Sequence, residues 1–555
     1  MKIRAQFRTA FLGFCALMYA TSTPPASAAN DAAPVIDAPA GQLRGIKEGN
    51  ASVFRAIPYA LPPTGERRWQ PPAPMPRWDG VRDAQQAGPA CMQPPMAAGP
   101  YNRGEVKMDE DCLILDVTVP EGAKNAPVMV WIHGGTLIWG SSQSPMYNGA
   151  EFAKRGIILV SINYRLGVLG YLAHPELSAE SPESISGNYG LLDQVAALKW
   201  VRENIAAFGG DASNVTIFGE SAGALSTEYL LASPAAHGLF DKAIVQSGYL
   251  FTMPELRQTK YEERSAEEIG TALTTTLGVT GISDLRQMDA RALVDKAGAV
   301  RYAPYGTIDG KILPRQLVDT FDHGEQAQVP LMAGFTSDEI RTLSFLAPPY
   351  PLTPDAYAYD IRVRYDDMAD AYLGLYPPQA LDKSKFDATR DAVFGWASER
   401  LVRKQAAIGQ PSYLYFFSHA YPAAVEAKLG AFHASEVPYV FGAFGRTPAN
   451  WPAMPDTAAE RQFAGAMLDY WTSFARDGQP TAANGPDWNA FALEQAYMNF
   501  ADVPVAGRQF SPGMYELHEE IMCRRRATGA QSWNWRTGFI APPLPAPVPG
   551  CAAKP

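Results

Sequence analysis

The stretch from Asn214 to Gly223 reads Asn-Val-Thr-Ile-Phe-Gly-Glu-Ser-Ala-Gly and runs into a helical pattern that continues to Leu231. The apolar and β-branched residues before Gly219 read as a short buried strand, and Ala222 to Leu231 reads as a helix. Between them, Gly-x-Ser-x-Gly describes a nucleophile elbow, a strand-to-helix turn so sharp that a side chain at either glycine would clash. Such a turn presents the Ser221 hydroxyl at a helix N-terminus. The five-residue pattern alone is weak. The strand before the pattern and the helix after it are what make it strong, and the rest of the chain is organised around this stretch.

The chain of 555 residues is 47% hydrophobic and 19% charged, the composition of an ordinary globular protein. Its formal charge is −10, and removing the three cations of residues 1–28 takes it to −13. That surface disfavours nucleic acid and anionic membranes as partners. Residues 1–28 have the physical form of a signal peptide. Met1 to Arg8 is basic, Ala10 to Ala20 is mostly apolar, and Ala26-Ser27-Ala28 supplies small residues for cleavage. The apolar run is too short for a stable membrane anchor, and no later stretch reaches spanning length. Export to the periplasm or the medium changes how the cysteines read. With Cys15 removed, Cys91, Cys112, Cys523 and Cys551 remain, an even set for an oxidising compartment. Pairing Cys91 with Cys112 and Cys523 with Cys551 closes the shortest loops. No Cys/His spacing resembles a metal site.

Residues 29–40 are rich in Ala and Pro and read as a flexible lead-in, and residues 41–83 as a small antiparallel set of strands and turns. Val128 to His133 and Ile157 to Tyr164 are nearly continuous apolar runs, as expected of strands covered on both faces. Leu191 to Ile205 carries apolar residues at helical spacing. Further core strands are expected at Ala243 to Gln246 and Val329 to Gly334, with Tyr413 to Ser418 as the last. Phe463 to Arg476 reads as a closing helix, and residues 350–410 as a helical lid or wall. Alternating strands and helices predict an α/β fold with a large, mostly parallel sheet. A single domain is expected over residues 29–540, followed by a Pro-rich tail, 541–555, extended and unable to pack a core.

A serine hydroxyl needs a base to take its proton, and the base needs an acid to orient it. In the arrangement built on this elbow the chain order is Ser, acid, His. His133 and His174 precede Ser221, His237 comes too soon for an acid to intervene, and His323 precedes the strand expected to carry the acid. His419, His433 and His518 remain. Of these, His433 lies in a small-residue loop able to bend toward a strand end. Past the strand ending near Gly334, Asp338 and Glu339 are both suitable acids. The developing oxyanion needs preorganised N–H donors. One is the amide of Ala222, and the others are expected from His133-Gly134-Gly135-Thr136 after a core strand.

Together these stretches resemble the type-B carboxylesterase family, which includes the cholinesterases. Also matching are Phe54-Arg55-Ala56-Ile57-Pro58-Tyr59, Glu110-Asp111-Cys112-Leu113, and Gly187-Asn188-Tyr189-Gly190 leading to Phe208-Gly209-Gly210-Asp211. The resemblance covers roughly residues 35–520. It implies the α/β-hydrolase fold and a Ser221–His433–Glu339 triad, choosing Glu339 over Asp338 and His433 over its rivals. It further implies an oxyanion hole of Gly135, Thr136 and Ala222, support from Ser226 and Ser247, and a Cys91–Cys112 disulfide. Glu220, next to the nucleophile, is expected to tune the polarity there. No cofactor is expected.

This chain departs from the family's pattern in three places. Thr136 replaces a glycine or alanine, Ile340 replaces a glycine after Glu339, and the Cys91–Cys112 loop has Tyr101 as its only aromatic, which disfavours choline esters. Leu137, Ile138 and Trp139 are expected to border the substrate gorge. The expected protein is therefore a secreted serine carboxylesterase taking a small-molecule ester, as a monomer or homodimer. Two alternatives are a specialised esterase for a bulky natural-product or polycarboxylate ester, such as a mycotoxin side-chain ester, and a non-catalytic binding module on the same fold.

Overall fold

The computed structural model describes residues 33–347, 351, 353–534 and 536–551. The leader expected over residues 1–28 lies outside them. Eleven strands form one sheet: β1 (Ile46–Glu48), β2 (Ala51–Pro58), β3 (Ile114–Pro120), β4 (Ala126–Ile132), β5 (Ile158–Ile162), β6 (Gly210–Glu220), β7 (Lys242–Gln246), β8 (Leu331–Thr336), β9 (Ser412–Phe417), β10 (Ala496–Phe500) and β11 (Pro504–Arg508). Their spatial order is β11-β10-β9-β8-β7-β6-β4-β5-β3-β2-β1. From β5 across to β10 every pairing is parallel, and antiparallel pairs finish both edges.

The apolar runs make this sheet because both of their faces are covered. Along β4, Val128, Val130 and Ile132 enter one core while Met129 and Trp131 enter another on the opposite face. In β7 the same alternation separates Ala243 and Val245 from Ile244. Helices α1 (Tyr189–Asn204), α2 (Ala222–Ala232) and α3 (Trp396–Ala407) cover the first face, and α4 (Ala458–Asp477) covers the second. Parallel strands joined by helical crossovers leave their C-terminal ends on one edge, where ligand sites of such sheets form.

Four expectations are corrected. Residues 29–40 are not all a flexible lead-in, because Val35–Ala38 pairs antiparallel with Gly41–Arg44 and Ala38 enters the core. The strands of residues 41–83 are not one small antiparallel set. Two of them, β1 and β2, extend the main sheet, and Val81–Asp83 pairs parallel with Gly41–Arg44. β9 is not the last strand, since Ala496, Met498 and Phe500 alternate inward along β10, and α4 is followed by a further helix, α5 (Met514–Ala527). The Pro-rich tail does pack: Ala541 is fully buried, Leu544 joins a cluster with Tyr365 and Leu517, and Cys551 is bonded to Cys523. Proline prevents regular structure but leaves carbonyls and apolar rings free to dock. Arg364 Nη1 donates to the Ala541 carbonyl at 2.6 Å, and the Leu544 amide returns a bond to the Arg364 carbonyl.

Candidate active site

β6 ends at Glu220 and α2 starts at Ala222, so Ser221 alone makes the turn, at φ 57° and ψ −121°. That backbone is unfavourable for an L-residue and persists only where its surroundings hold it. The Ser221 amide donates to the Gln246 carbonyl of β7 at 2.9 Å, and its carbonyl accepts from the Leu225 amide. A Cβ at Gly219 would meet the Gly223 backbone at 2.4 Å, and one at Gly223 would meet the Ile132 carbonyl at 2.0 Å. Both glycines of the motif are thus required by the close approach of β4, β6 and α2.

The acid comes from the turn after β8. Glu339 is fully buried, and its Oε2 lies 2.5 Å from His433 Nδ1. Its other oxygen accepts from Ser247 Oγ at 2.6 Å and from the Thr336 amide at 2.8 Å, so the carboxylate cannot rotate away. Asp338 does different work. Its amide donates to the Ala431 carbonyl, its Oδ2 accepts from the Ala431 amide, and it bridges to Phe432 as in a parallel ladder. Asp338 therefore staples the histidine loop to the acid turn. Gly430, at φ 62°, is the residue that fits, since a Cβ there would sit 2.5 Å from the Asp338 carboxyl carbon. Ile340, in the place of a glycine, turns into an apolar cluster with Phe251, Phe335 and Phe394.

His433 is buried and faces three acidic side chains. Its Nε2 is 3.1 Å from Glu220 Oε1, close enough for an ionic contact but without hydrogen-bond alignment. Among the described residues no hydrogen bond joins Nε2 to Ser221 Oγ. Burial alone would lower the imidazole's affinity for a proton. The charges of Glu220 and Glu339 and the bond to Glu339 outweigh it and raise His433 to about 9. Burial pushes Glu220 up to about 7, opposed by His433 and reinforced by Glu339. Glu436 is pushed to about 8 by burial and by its two acidic neighbours. Gln246 Nε2 donates to Glu436 Oε1 at 3.2 Å, and Trp471 Nε1 in turn donates to Gln246 Oε1 at 3.2 Å.

The Gly134–Leu137 loop leaves the end of β4 and turns back over the serine. A Cβ at Gly134 would be 3.2 Å from Ser221 Cβ. Gly135, Thr136 and Leu137 all have positive φ, at 117°, 54° and 59°. The Gly135 carbonyl accepts from the Ile138 and Trp139 amides, which fixes the loop's return. Among the described residues the amides of Gly135, Thr136 and Ala222 donate to no protein acceptor. Beneath the loop, His133 stacks on Tyr164 with ring centroids 4.6 Å apart, and burial drives its pKa down to about 3, so it is a neutral spacer.

The structure brings Glu220, Glu339, His433 and Ser247 together, with Ser221 next to Glu220 in the chain. It does not bring in Ser226, which is buried within α2 and accepts from Gln194 Nε2 at 3.0 Å instead. Leu137 belongs to the core, while Ile138 and Trp139 are half-buried. Both expected disulfides are formed. Tyr101, Arg103, Phe394 and Glu436 were given no role from sequence. Tyr101 donates to the His433 carbonyl at 2.7 Å, and the Phe394 ring lies 5.5 Å from the imidazole. For Glu436 a signal existed, three residues past His433; Tyr101 and Arg103 sit in a loop without periodicity, and Phe394 in a helical stretch whose pattern does not point to the histidine.

Solved structures of PNB esterases have the same architecture. One aligns at a TM-score of 0.75 and 31% identity, over 87% of this chain and 99% of its own. A thermophilic PNB esterase aligns at 0.74 and 30% identity, over 87% and 99%. The doubly covered sheet with its elbow at the end of β6 is therefore an α/β-hydrolase fold. Among characterised sequences, the fumonisin B1 esterase of Sphingopyxis macrogoltabida is 34% identical, over 87% of this chain and 89% of its own. The para-nitrobenzyl esterase of Bacillus subtilis (strain 168) is 35% identical, over 82% and 92%. The profile of the carboxylesterase family matches residues 32–512, and the chain belongs to that family. It is a carboxylic ester hydrolase.

Proposed function

We propose that the chain is an exported serine carboxylesterase working through an acyl-enzyme intermediate. Ser221 attacks the ester carbonyl while His433 takes its proton and passes it to the leaving alcohol. Glu339 holds the imidazole with Nδ1 protonated, and the amides of Gly135, Thr136 and Ala222 receive the oxyanion. Water then cleaves the acyl-enzyme by the same steps in reverse. The observation that carries this reading is the Glu339–His433 bond beside a strained Ser221. To accept the serine proton, His433 Nε2 exchanges its contact with Glu220 for the hydroxyl of the next residue in the chain, Ser221.

A fluorophosphonate ester tests this without a guess about substrate. Intact mass is expected to show one adduct on the wild type and none on Ser221→Ala. Well-folded wild type that takes no adduct would leave a non-catalytic binding module as the better account.

Export is supported by the basic, then apolar, then small-residue pattern of residues 1–28 and by the two disulfides. A mature N-terminus at Ala29, read by mass from secreting cells, is the expected result. Residues 29–540 are proposed to act as one catalytic domain. A second reading keeps the chemistry but narrows it to a large natural-product ester, and similarity to a fumonisin B1 esterase favours it.

A further inference from the structure

The loop closed by Cys91–Cys112 places a cation at the active site that has no anion to meet. Arg103 Nη2 donates to the Tyr147 hydroxyl at 2.7 Å, and the guanidinium lies 5.2 Å from the centre of the Tyr147 ring. Nη1 is buried from solvent and has no hydrogen-bond partner. Among the described residues no carboxylate comes within 4.0 Å of Arg103. A charged N–H group taken out of water without an acceptor is costly, and such groups persist in proteins where something else completes them.

Both neighbours of Arg103 are fastened, which fixes its place in the loop. The Asn102 side-chain amide donates to the Met96 and Ala97 carbonyls, and its Oδ1 accepts from the Gly104 amide at 2.8 Å. Two residues earlier, Tyr101 caps the His433 backbone, and its ring stands edge-on to the imidazole at 6.4 Å. Arg103 therefore belongs to the segment that roofs the catalytic histidine. Its charge is also felt by Glu220, next to the nucleophile, and by His133 under the oxyanion loop. Glu220 does not neutralise it, because that carboxylate is turned to His433 Nε2.

We propose that Arg103 is a substrate-binding residue that receives a carboxylate carried by the ester, and that the protein is specific for carboxylated esters. A carboxylate would give the guanidinium the charged acceptor it lacks, which a neutral alkyl group cannot do. This proposal rests on the serine esterase reading of the same site and narrows its substrate class. The carboxylate can be borne on the acyl or the alcohol side, and paired substrates separate the two.

The experiment measures kcat/KM for matched esters with wild type, Arg103→Met and Arg103→Lys. On the acyl side, 4-nitrophenyl hemiglutarate is compared with 4-nitrophenyl butyrate. On the alcohol side, the butyrate of 4-hydroxybenzoate is compared with that of 4-cresol. Wild type is expected to prefer the charged member of one pair. In Arg103→Met the charged-to-neutral ratio of that pair should fall by about 10- to 100-fold, chiefly through KM, and Arg103→Lys should restore part of it. Added salt should erode the wild-type preference as well.

No preference in either pair, or an equal loss on charged and neutral esters in Arg103→Met, would overturn the proposal. In both of those cases turnover of the neutral esters and a fluorophosphonate adduct would leave the serine esterase reading standing. A wild type that turns over no ester and takes no adduct would overturn that reading, and this proposal with it.

Discussion

At the residue scale the site is governed by how many acids surround one imidazole. His433 is held up to about 9 because Glu220 and Glu339 outweigh the effect of burial. A base must be deprotonated to work, so kcat/KM on a neutral ester should climb as pH rises toward 9. Replacing Glu220 by Gln removes the largest of the three carboxylate contributions, those of Glu220, Glu339 and Glu436, that favour the imidazolium. The ascending limb should then move to lower pH by about 1–3 units, read from pH–rate profiles. A limb that stays put, or moves the other way, would show that Glu220 does not set the proton affinity of His433. The sign carries over to stability. A raised histidine pKa contributes stability below 6.5 that is lost as pH rises through about 9. The proposed triad of Ser221, Glu339 and His433 could be put forward from sequence because chemistry and chain order left few candidates, and the family resemblance chose among those. Arg103 and Tyr101 could not, since nothing in an aperiodic Pro- and Gly-containing loop says which side chain turns inward.

At the element scale, strands and helices followed hydrophobic period, whereas loop conformation did not. Thr136 illustrates this. Its β-branched side chain argues against positive φ, yet the loop holds it at 54°, its hydroxyl donating to the Gly135 carbonyl at 2.8 Å. Gly135, where a Cβ would strike the Trp139 carbonyl at 2.2 Å, absorbs the tighter part of the turn and lets its neighbour be a threonine. Thr136→Gly should relieve about 1 kcal/mol of backbone strain, partly offset by the freer unfolded chain, and should open the space taken by the threonine methyl. Relative turnover of tert-butyl over n-butyl acetate should rise at least about tenfold in this variant. An unchanged ratio would place the steric limit elsewhere. The second departure, Ile340, stands in the acid turn where the family's pattern has a glycine. Its apolar side chain instead anchors that turn in the Phe251–Phe335–Phe394 cluster, a solution that depends on packing partners far away in sequence.

At the scale of the whole molecule, the parallel centre of the sheet was legible and its margins were not. Buried parallel strands announce themselves as unbroken apolar runs. Edge strands such as β11, which starts at Pro504 and is mostly exposed, look like loops. The tail misled for a related reason, because proline content excludes helix and sheet but says nothing about docking. Ending the chain at Ile540, with Cys523→Ala to avoid a free thiol, should therefore cost about 2–5 kcal/mol and lower Tm by several degrees. A melting curve unchanged by the truncation would mean that the tail contributes nothing.

The scatter of the site along the chain also sets a schedule for synthesis. The oxyanion loop emerges first, then Ser221, then Glu339, and the histidine only at position 433 of 555. A ribosome that has finished the elbow has made a serine with no base. On the proposed triad, hydrolytic competence therefore arrives late and all at once, and a nascent chain that has not yet reached His433 is chemically silent toward esters.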